Sequence, residues 1–263
     1  MRRDALRATI AEDLQRGLKP IAVVASAGTT ATGSLDPLSE IADICDEHGL
    51  WLHVDGAYGA LAALAMPDAF RGIDRADSLS LDPHKWLYQP TGCGCLLYRD
   101  AAAARAAFSH SGEYARSLSE DPIEGFAVFE ESIELSRPFR ALALWLSLRY
   151  HGLNAFAESI AEDLRLAQVL AGCIDLEPRL ERLAPVALSA VCFRHRGPAE
   201  DLNGLNRAIL ERVIGRGRVY LSNATIHDQF ALRACIVNHR TTEDDVRLII
   251  SEVLDAAREI THA

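Results

Sequence analysis

Strand-like and helix-like segments alternate along the first hundred residues, and this alternation constrains the fold more than any other feature of the sequence. Apolar runs typical of buried strands cover four segments: 20–27, 50–54, 77–81 and 92–98. Between the first two, the sequence predicts a helix, with Asp36 as its N-cap, Pro37 as its first residue and Gly49 as its end. Strands that alternate with helices are typical of an α/β domain with a largely parallel sheet.

The rest of the chain follows a different pattern. An alanine-rich helix begins at residue 101, and a polar segment with glycine and proline then predicts a mobile loop over about residues 109–130. Helices are predicted at 138–152 and onward to 171, then strands at 188–196 and 229–237 with helices at 201–215 and 241–259. We therefore predict two domains: residues 1–150, a large α/β domain with the mobile loop and a connecting helix, and residues 151–263, a small C-terminal α+β domain.

Charge and apolar patterning argue against several classes of partner. The chain has 27 basic and 37 acidic residues, a net charge of -10, and no basic block of the kind that binds phosphate backbones. No apolar run approaches the roughly 18 residues that a membrane span needs. The charged first 20 residues do not resemble a secretory signal. We therefore expect a cytoplasmic protein with neither a nucleic-acid nor a membrane partner.

The six cysteines show no paired spacing that suggests a disulfide framework, which fits a reducing compartment. Cys93 and Cys95 invite interpretation as metal ligands. In GCGCLLY, however, strand alternation places both thiols on one face, where packing in a core explains them. We expect no metal site.

One lysine stands among apolar residues. In ADSLSLDPHKWLYQP, residues 76–90, Lys85 follows an Asp-Pro turn just past the end of a predicted strand. Such a lysine can lie on the surface with its stem covered, pair with an acid, or act as a nucleophilic amine that condenses with a carbonyl. The residue alone leaves all three roles open.

Asp55 ends the preceding predicted strand. Open α/β sheets form their ligand sites at the carboxyl ends of their strands, so we expect Asp55 and Lys85 at one crevice. Asp55 either bonds its own backbone in a turn or pairs with a cation such as a protonated pyridine nitrogen. His84 and the hydroxyls of Ser78 and Ser80 are candidate donors to a phosphate or a substrate carboxylate.

Two separated motifs carry a resemblance to a known family. HVDGAYGA (residues 53–60) and ADSLSLDPHKWL (76–87) resemble the signature of the pyridoxal-phosphate-dependent group II amino-acid decarboxylases, the aromatic-amino-acid decarboxylase family. The similarity continues in residues 26–55 and 137–152, and more weakly near the C-terminus. It implies the fold type I architecture of the aspartate-aminotransferase superfamily, with part of the large domain, a small C-terminal domain and pyridoxal 5'-phosphate as cofactor.

The resemblance also implies roles for individual residues. Lys85 holds pyridoxal phosphate covalently, and Asp55 keeps the ring nitrogen protonated, so that the ring accepts the electron pair released with the carboxylate. The family pattern then places Ala57 against the ring, Thr30 and Asp36 near the cofactor, and Ser78 and His84 near its phosphate and the substrate, with His84 among the catalytic groups. Thr30 and Ser78 have an alternative interpretation as simple turn or strand hydroxyls.

Tyr114 falls within the predicted mobile loop, at the position where the family keeps a catalytic tyrosine. A phenol on a closing loop can protonate the carbon that has lost carbon dioxide and can exclude water and oxygen. An exposed loop tyrosine is the alternative. By the same resemblance, phenylalanine here would suggest an aldehyde product, whereas tyrosine favours simple decarboxylation.

Ser136 aligns with a family position beside the substrate side chain, where serine is associated with phenolic rings and glycine with the larger indole. The alternative is that Ser136 caps the helix beginning near Pro138. We therefore expect an aromatic L-amino acid as substrate, with tyrosine or DOPA ahead of tryptophan, while acidic and diamino substrates stay open.

Members of this family are longer than this chain and form homodimers with active sites at the subunit interface. Nothing before residue 21 resembles the glycine- or serine-rich loop that cradles the cofactor phosphate, so we expect a fragment, a gene model that starts too late, or a decayed protein. The sequence leaves two other hypotheses about the function open. One is a different fold type I enzyme, such as an aminotransferase or a carbon–sulfur lyase, and the other is a non-catalytic remnant.

Overall fold

The computed structural model describes residues 1–108, 132–134, 136–197 and 199–261. Its first sheet contains four strands, ordered β1 to β4: Ala22–Ser26, Trp51–Asp55, Ser78–Leu81 and Cys95–Tyr98. The first three strands are parallel, and β4 is antiparallel to β3. The prediction of a largely parallel sheet is confirmed. The predicted mobile loop, about residues 109–130, lies outside the described residues.

Helices connect these strands. The helices around the first sheet are α1 (Arg3–Gln15), α2 (Leu38–His48), α3 (Pro83–Trp86) and α4 (Ala101–Phe108), and three short 3₁₀ segments lie between β2 and β3 at Ala60–Leu64, Pro67–Phe70 and Ile73–Arg75. Helix α2 buries Leu38, Ile41 and Ile44 in the core beneath β1 and β2. This helix-covered layer fixes where the strands end, and therefore where the side chains of the site lie.

Asp36 does not cap α2, so this prediction was wrong. The helix begins at Leu38, and the cap position is Pro37, which has no side chain able to accept a hydrogen bond. The Asp36 carboxylate instead accepts a hydrogen bond from the backbone N–H of Ser26 at 2.8 Å and pairs with the amino group of Met1. The Asp36 carboxylate is therefore bonded to β1, ten residues away in the sequence, and not to the N-terminus of the helix.

The two faces of the first sheet differ in coverage. Along β2, Leu52 and Val54 point into the core, whereas Asp55 is exposed. On β1, Val24 lies on the same side as Asp55 and has 58% of its surface exposed. Because side chains alternate along a strand, the polar residues of β2 and β3 share this open face.

The C-terminal half is built around a second, antiparallel sheet. Helices α5 (Arg140–His151) and α6 (Leu153–Leu176) precede it, and the strand order is β5 (Leu180–Arg182), β6 (Ala190–His195), β8 (Gln229–Cys235) and β7 (Ser222–Ile226), with α7 (Leu202–Arg216) and α8 (Glu243–Thr261) packed on the sheet. The α+β character is as predicted, although the short strands β5 and β7 were not. Within the described residues, no helix is long and apolar enough to cross a bilayer.

Helix α6 joins the two cores. Phe156 and Ile160, in its first turns, are buried in the core of the first sheet. Leu166 and Leu170, farther along, are buried in the core of the second sheet. One continuous helix therefore fixes the second sheet relative to the first.

Helix α8 begins with a reciprocal pair of hydrogen bonds. The Thr242 backbone N–H donates to the Asp245 carboxylate at 2.9 Å, and the Asp245 N–H donates to the Thr242 hydroxyl at 3.3 Å. This reciprocal pair occupies donors that a helix N-terminus otherwise leaves free.

Gly59, just past Asp55, is required by close packing, and we expect Gly59→Ala to destabilise the fold by about 1–3 kcal/mol. A methyl group there would lie under 3.0 Å from the backbone of Ala27 and Gly28, which cannot move as a side chain can. Urea denaturation monitored by circular dichroism measures the change. Gly172→Ala is the matched control: Gly172 lies within α6 with open space around it, and alanine there should raise the free energy of unfolding by up to about 1 kcal/mol. Equal midpoints for wild type and Gly59→Ala would contradict this packing argument.

Candidate active site

Asp55 lies at the carboxyl end of β2, where its carboxylate is only partly satisfied. The register pairs Asp55 with Ser80 of β3. Its Oδ1 accepts from the Ser80 hydroxyl at 3.2 Å and from the Ala57 backbone N–H at 3.1 Å. Within the described part of the chain, its Oδ2 has no hydrogen-bond or ion-pair partner. One exposed carboxylate oxygen is therefore available to a cationic donor.

Lys85 lies at the same edge of the sheet, because α3 directly follows β3 and β3 runs parallel to β2. Its ammonium group pairs with Asp82, whose Oδ2 is 2.8 Å from Lys85 Nζ, and not with Asp55. Both side chains are about one-quarter to one-third exposed. Asp82 was not predicted as a site residue. Its spacing of three residues from Lys85 could have indicated an ion pair, because residues three apart lie close together on a helical turn.

His84 completes this cluster. A carbonyl can only accept, so His84 Nδ1 donates to the Cys93 carbonyl oxygen at 2.9 Å. The other ring nitrogen then faces the Asp82 carboxylate, at 3.7 Å. Asp82, His84 and Lys85 thus form one group of titratable side chains beside Asp55. Cys93 is buried in the turn before β4, so the strand that was expected to carry both cysteines begins only at Cys95.

Ser78 and Ser80 share a face of β3 but have different partners. Ser78 is 6% exposed, and its hydroxyl accepts from Trp51 Nε1 at 2.9 Å and bonds His53 Nδ1 at 2.8 Å. These contacts hold it within the sheet, while Ser80 contacts Asp55. The hydroxyl nearest to the partly satisfied carboxylate is therefore that of Ser80.

The remaining expected cofactor residues flank the same edge. Ala57 is half-buried two residues beyond Asp55, and Asp36 contacts the end of β1, which pairs with the end of β2. Thr30 is exposed in the loop that follows β1. Its neighbours Thr29, Thr32 and Ser34 bond one another through their hydroxyls and hold that loop. The structure thus places Thr30, Asp36 and Ala57 around the strand ends.

A buried aromatic pair holds the two site segments together. Trp86, next to Lys85, has no exposed surface, and its ring centroid lies 5.9 Å from that of Tyr58, three residues after Asp55. The Tyr58 hydroxyl bonds Ser189 beside the second sheet at 2.9 Å. Burial is the main cause that raises the pKa of Tyr58 above its ordinary value. Trp86 and Tyr58 therefore connect the segment of Lys85 to the segment of Asp55.

Two expected residues remain to be located, Tyr114 and Ser136. Tyr114 is outside the described residues. Ser136 is exposed on the segment before α5, and it does not cap that helix, because α5 begins at Arg140 and its cap position, Phe139, makes no side-chain cap bond. The interpretation of Ser136 as a helix cap was wrong: the helix starts beyond the reach of its hydroxyl.

The sequence of this chain is similar to known proteins of one family. The model of the "Pyridoxal-dependent decarboxylase conserved domain" matches residues 1–196. An aromatic-L-amino-acid decarboxylase from Bacillus atrophaeus is 38% identical over an alignment of 264 positions, which covers 98% of this chain and 55% of that relative. A phenylacetaldehyde synthase from a Rosa hybrid cultivar is 34% identical over 253 residues, with 92% and 50% covered.

A solved structure agrees with this match. The crystal structure of Oryza sativa TDC with PLP and tryptamine has a TM-score of 0.91 and 29% sequence identity, covering 99% of this chain and 55% of that one. The predicted fold type I architecture is confirmed. The chain spans about half the length of the relatives it matches.

Proposed function

We propose that this chain, which belongs to the pyridoxal-dependent decarboxylase family, carries the lysine and the acid with which an enzyme decarboxylates an aromatic L-amino acid to its amine. The observation that carries the proposal is the site geometry: Asp55 Oδ2, which has no partner among the described residues, lies at the carboxyl end of β2, and Lys85 lies on α3, which follows the adjacent strand. Because the chain spans about half of its relatives, the activity is proposed for the whole protein.

The residues present fit pyridoxal phosphate. A carboxylate oxygen that no described residue contacts suits a protonated pyridine nitrogen, and a partly exposed lysine suits covalent attachment to an aldehyde. When bound, the cofactor supplies an electron sink for the pair released as the bond from Cα to the carboxylate breaks and carbon dioxide leaves.

We assign the chain's own residues the following tasks. Lys85 would hold the cofactor through its side-chain nitrogen, with water as the leaving group, and Asp82 pairs with its ammonium form. Asp55 holds a proton at the ring nitrogen, and Ser80 and the Ala57 N–H orient its carboxylate. His84, whose Nδ1 donates to the Cys93 carbonyl, is assigned with Ser78 to the region of the cofactor phosphate and the substrate, and Thr30 and Asp36 are assigned to the surroundings of the cofactor.

The final proton transfer is proposed for Tyr114. The carbon that loses the carboxylate must gain a proton, and a phenol brought in by a loop can donate it while excluding water. This assignment rests on the family resemblance of the segment around Tyr114. Ser136 is proposed to lie beside the substrate side chain, which favours tyrosine or DOPA over tryptophan.

We further propose a homodimer with the active site at its interface. Helix α5 exposes several large apolar side chains, and Trp145 is 58% and Leu146 52% exposed. Exposed apolar groups on one helix are typical of a protein–protein contact. The dimeric family pattern makes a second copy of the chain the proposed partner.

The proposal is tested by product analysis. The protein is incubated with pyridoxal phosphate and L-tyrosine, L-DOPA or L-tryptophan labelled at the carboxyl carbon, and released carbon dioxide and the organic product are both measured. We expect label in carbon dioxide and an amine in equal amount, with D-tyrosine as the inert control. Carbon dioxide with an aldehyde would favour the reaction named for the Rosa relative, transfer of the amino group without label release would favour an aminotransferase, and no turnover would favour a remnant.

A further inference from the structure

Tyr88, three residues after Lys85, has an unusual backbone conformation. Its φ is 53°, in the left-handed region that usually holds glycine at a helix end. Among the described residues, the other non-glycine residues with positive φ are His227 and Asp228, which form the two-residue hairpin turn between β7 and β8, where positive φ is expected. Tyr88 is not in such a turn, so something outside its backbone must favour this conformation.

The Tyr88 side chain is held on several sides by the C-terminal half of the chain. Its hydroxyl donates to Asp163 Oδ2 at 2.9 Å. Its ring stacks near Phe156, with centroids 6.4 Å apart, and meets His239 edge-on at 4.9 Å. Phe156 and Asp163 are seven residues apart on one face of α6. A residue in the lysine-bearing turn is thus fixed to α6 and to the segment after β8.

The acceptor of this hydrogen bond is the carboxylate of Asp163, and burying a carboxylate is unfavourable. Asp163 is 1% exposed and forms no ion pair within the described residues. Burial raises its pKa to about 6, although hydrogen bonds from Tyr88 and from the Asn238 backbone N–H oppose that rise, and the Glu162 charge adds to it. At neutral pH a buried carboxylate therefore depends on two neutral donors. The Tyr88 hydroxyl is one of them, so the bond is charge-assisted and strong.

The turn transmits this restraint to Lys85. The Tyr88 backbone N–H donates to the Lys85 carbonyl oxygen at 3.2 Å, and the Leu87 N–H donates to the Pro83 carbonyl oxygen at the same distance. Gln89, next in the chain, donates to the Ser147 hydroxyl of α5 at 3.1 Å. The backbone of Lys85 is therefore bonded to the residue that Asp163 anchors.

We propose that Tyr88 and Asp163 are positioning residues that hold Lys85 at a fixed place by anchoring its turn to helix α6. The proposal rests on the proposed function for the role of Lys85, but the anchor itself exists without cofactor. It explains why a bulky residue occupies a backbone conformation that glycine adopts more easily. It also makes the geometry of Lys85 depend on the C-terminal half of the chain.

Hydrogen exchange of the full chain without cofactor tests the anchor. We expect Tyr88→Phe, which keeps the ring, and Asp163→Asn, which keeps the shape, each to speed exchange of the Leu87 and Tyr88 amides by about tenfold. The double variant should exchange no faster than Tyr88→Phe alone, because Tyr88→Phe already removes the bond that Asp163→Asn weakens by removing its charge. Tyr220→Phe, at an 80% exposed tyrosine, is the control and should change nothing. Unchanged exchange in both Tyr88→Phe and Asp163→Asn overturns the proposal.

A second measurement separates positioning from general stability. Visible circular dichroism per molecule of bound pyridoxal phosphate reports how rigidly the cofactor is oriented, and it does not depend on how much protein is folded. We expect a loss of this signal in Tyr88→Phe and in Asp163→Asn, with the Tyr220→Phe signal intact. Faster exchange with an unchanged signal per bound cofactor would reduce the pair to a structural contact and overturn the positioning role. If the wild type bound no cofactor at Lys85, the proposed function would fail, whereas the exchange result would still decide the anchor.

Discussion

Replacing Lys85 with alanine is expected to abolish covalent incorporation of pyridoxal phosphate after borohydride reduction. Reduction traps the cofactor on the amine that has condensed with its aldehyde. The chain has two lysines, Lys19 and Lys85. Lys19 is exposed in the turn between α1 and β1, before the first strand, and not at the carboxyl ends of the strands. No second lysine is therefore available to replace Lys85 at the site.

Mass spectrometry of a digest identifies the labelled peptide. Lys19→Ala is the matched control and should retain full labelling at Lys85. Lys85→Arg is a second variant, because it can preserve the ion pair with Asp82 while removing the primary amine. Labelling of the Lys85→Ala protein at the wild-type level, or labelling confined to Lys19, would show that the assignment of Lys85 is wrong.

The site edge could be predicted from the sequence because it depends on local signals. Apolar runs located β1, β2 and β3, and side-chain period placed Asp55 and Lys85 at or just past strand ends. In a parallel sheet, carboxyl ends meet at one edge, so two local predictions were enough to bring two distant residues together. The family resemblance then added a hypothesis about the chemistry, which the residue types alone left open.

Choices of hydrogen-bond partner could not be predicted in this way. Register decides that Ser80 contacts Asp55 while Ser78 contacts Trp51 and His53, and two serines on one strand face look equivalent in the sequence. Asp36 had a good local position for a cap, but the Ser26 N–H became its partner. A side chain with more than one reachable donor is assigned by the folded structure and not by its neighbours in sequence.

The contact between Tyr88 and Asp163 of α6 could not be predicted from the sequence either. Tyr88 and Asp163 are 75 residues apart, and neither belongs to a recognisable motif. The strand β5 has only three residues, and β7, SNATI, has no apolar run like those that predicted β1 and β2. The candidate site was therefore predictable at its centre and not at the supports that fix it.

Asp55→Asn is expected to leave cofactor attachment intact and to lower the decarboxylation rate per bound cofactor by about 100-fold or more. Asparagine keeps an oxygen that can accept from Ser80 and from the Ala57 N–H, so the local geometry should persist. It lacks the charge that favours a proton on the ring nitrogen, and an unprotonated ring is a poor electron sink. The effect should therefore fall on the rate and not on binding.

Ser80→Ala separates the charge of Asp55 from its orientation. This variant removes one donor to Asp55 Oδ1 and leaves the carboxylate, so we expect a loss of about tenfold or less. Rates are measured as carbon dioxide released, and bound cofactor is measured by reduction and absorbance in the same preparation. If Asp55→Asn retained the wild-type rate per bound cofactor, a charge at this position would not be needed. Asp55 would then have another role, such as stabilising the turn after β2 through its hydrogen bond with the Ala57 N–H.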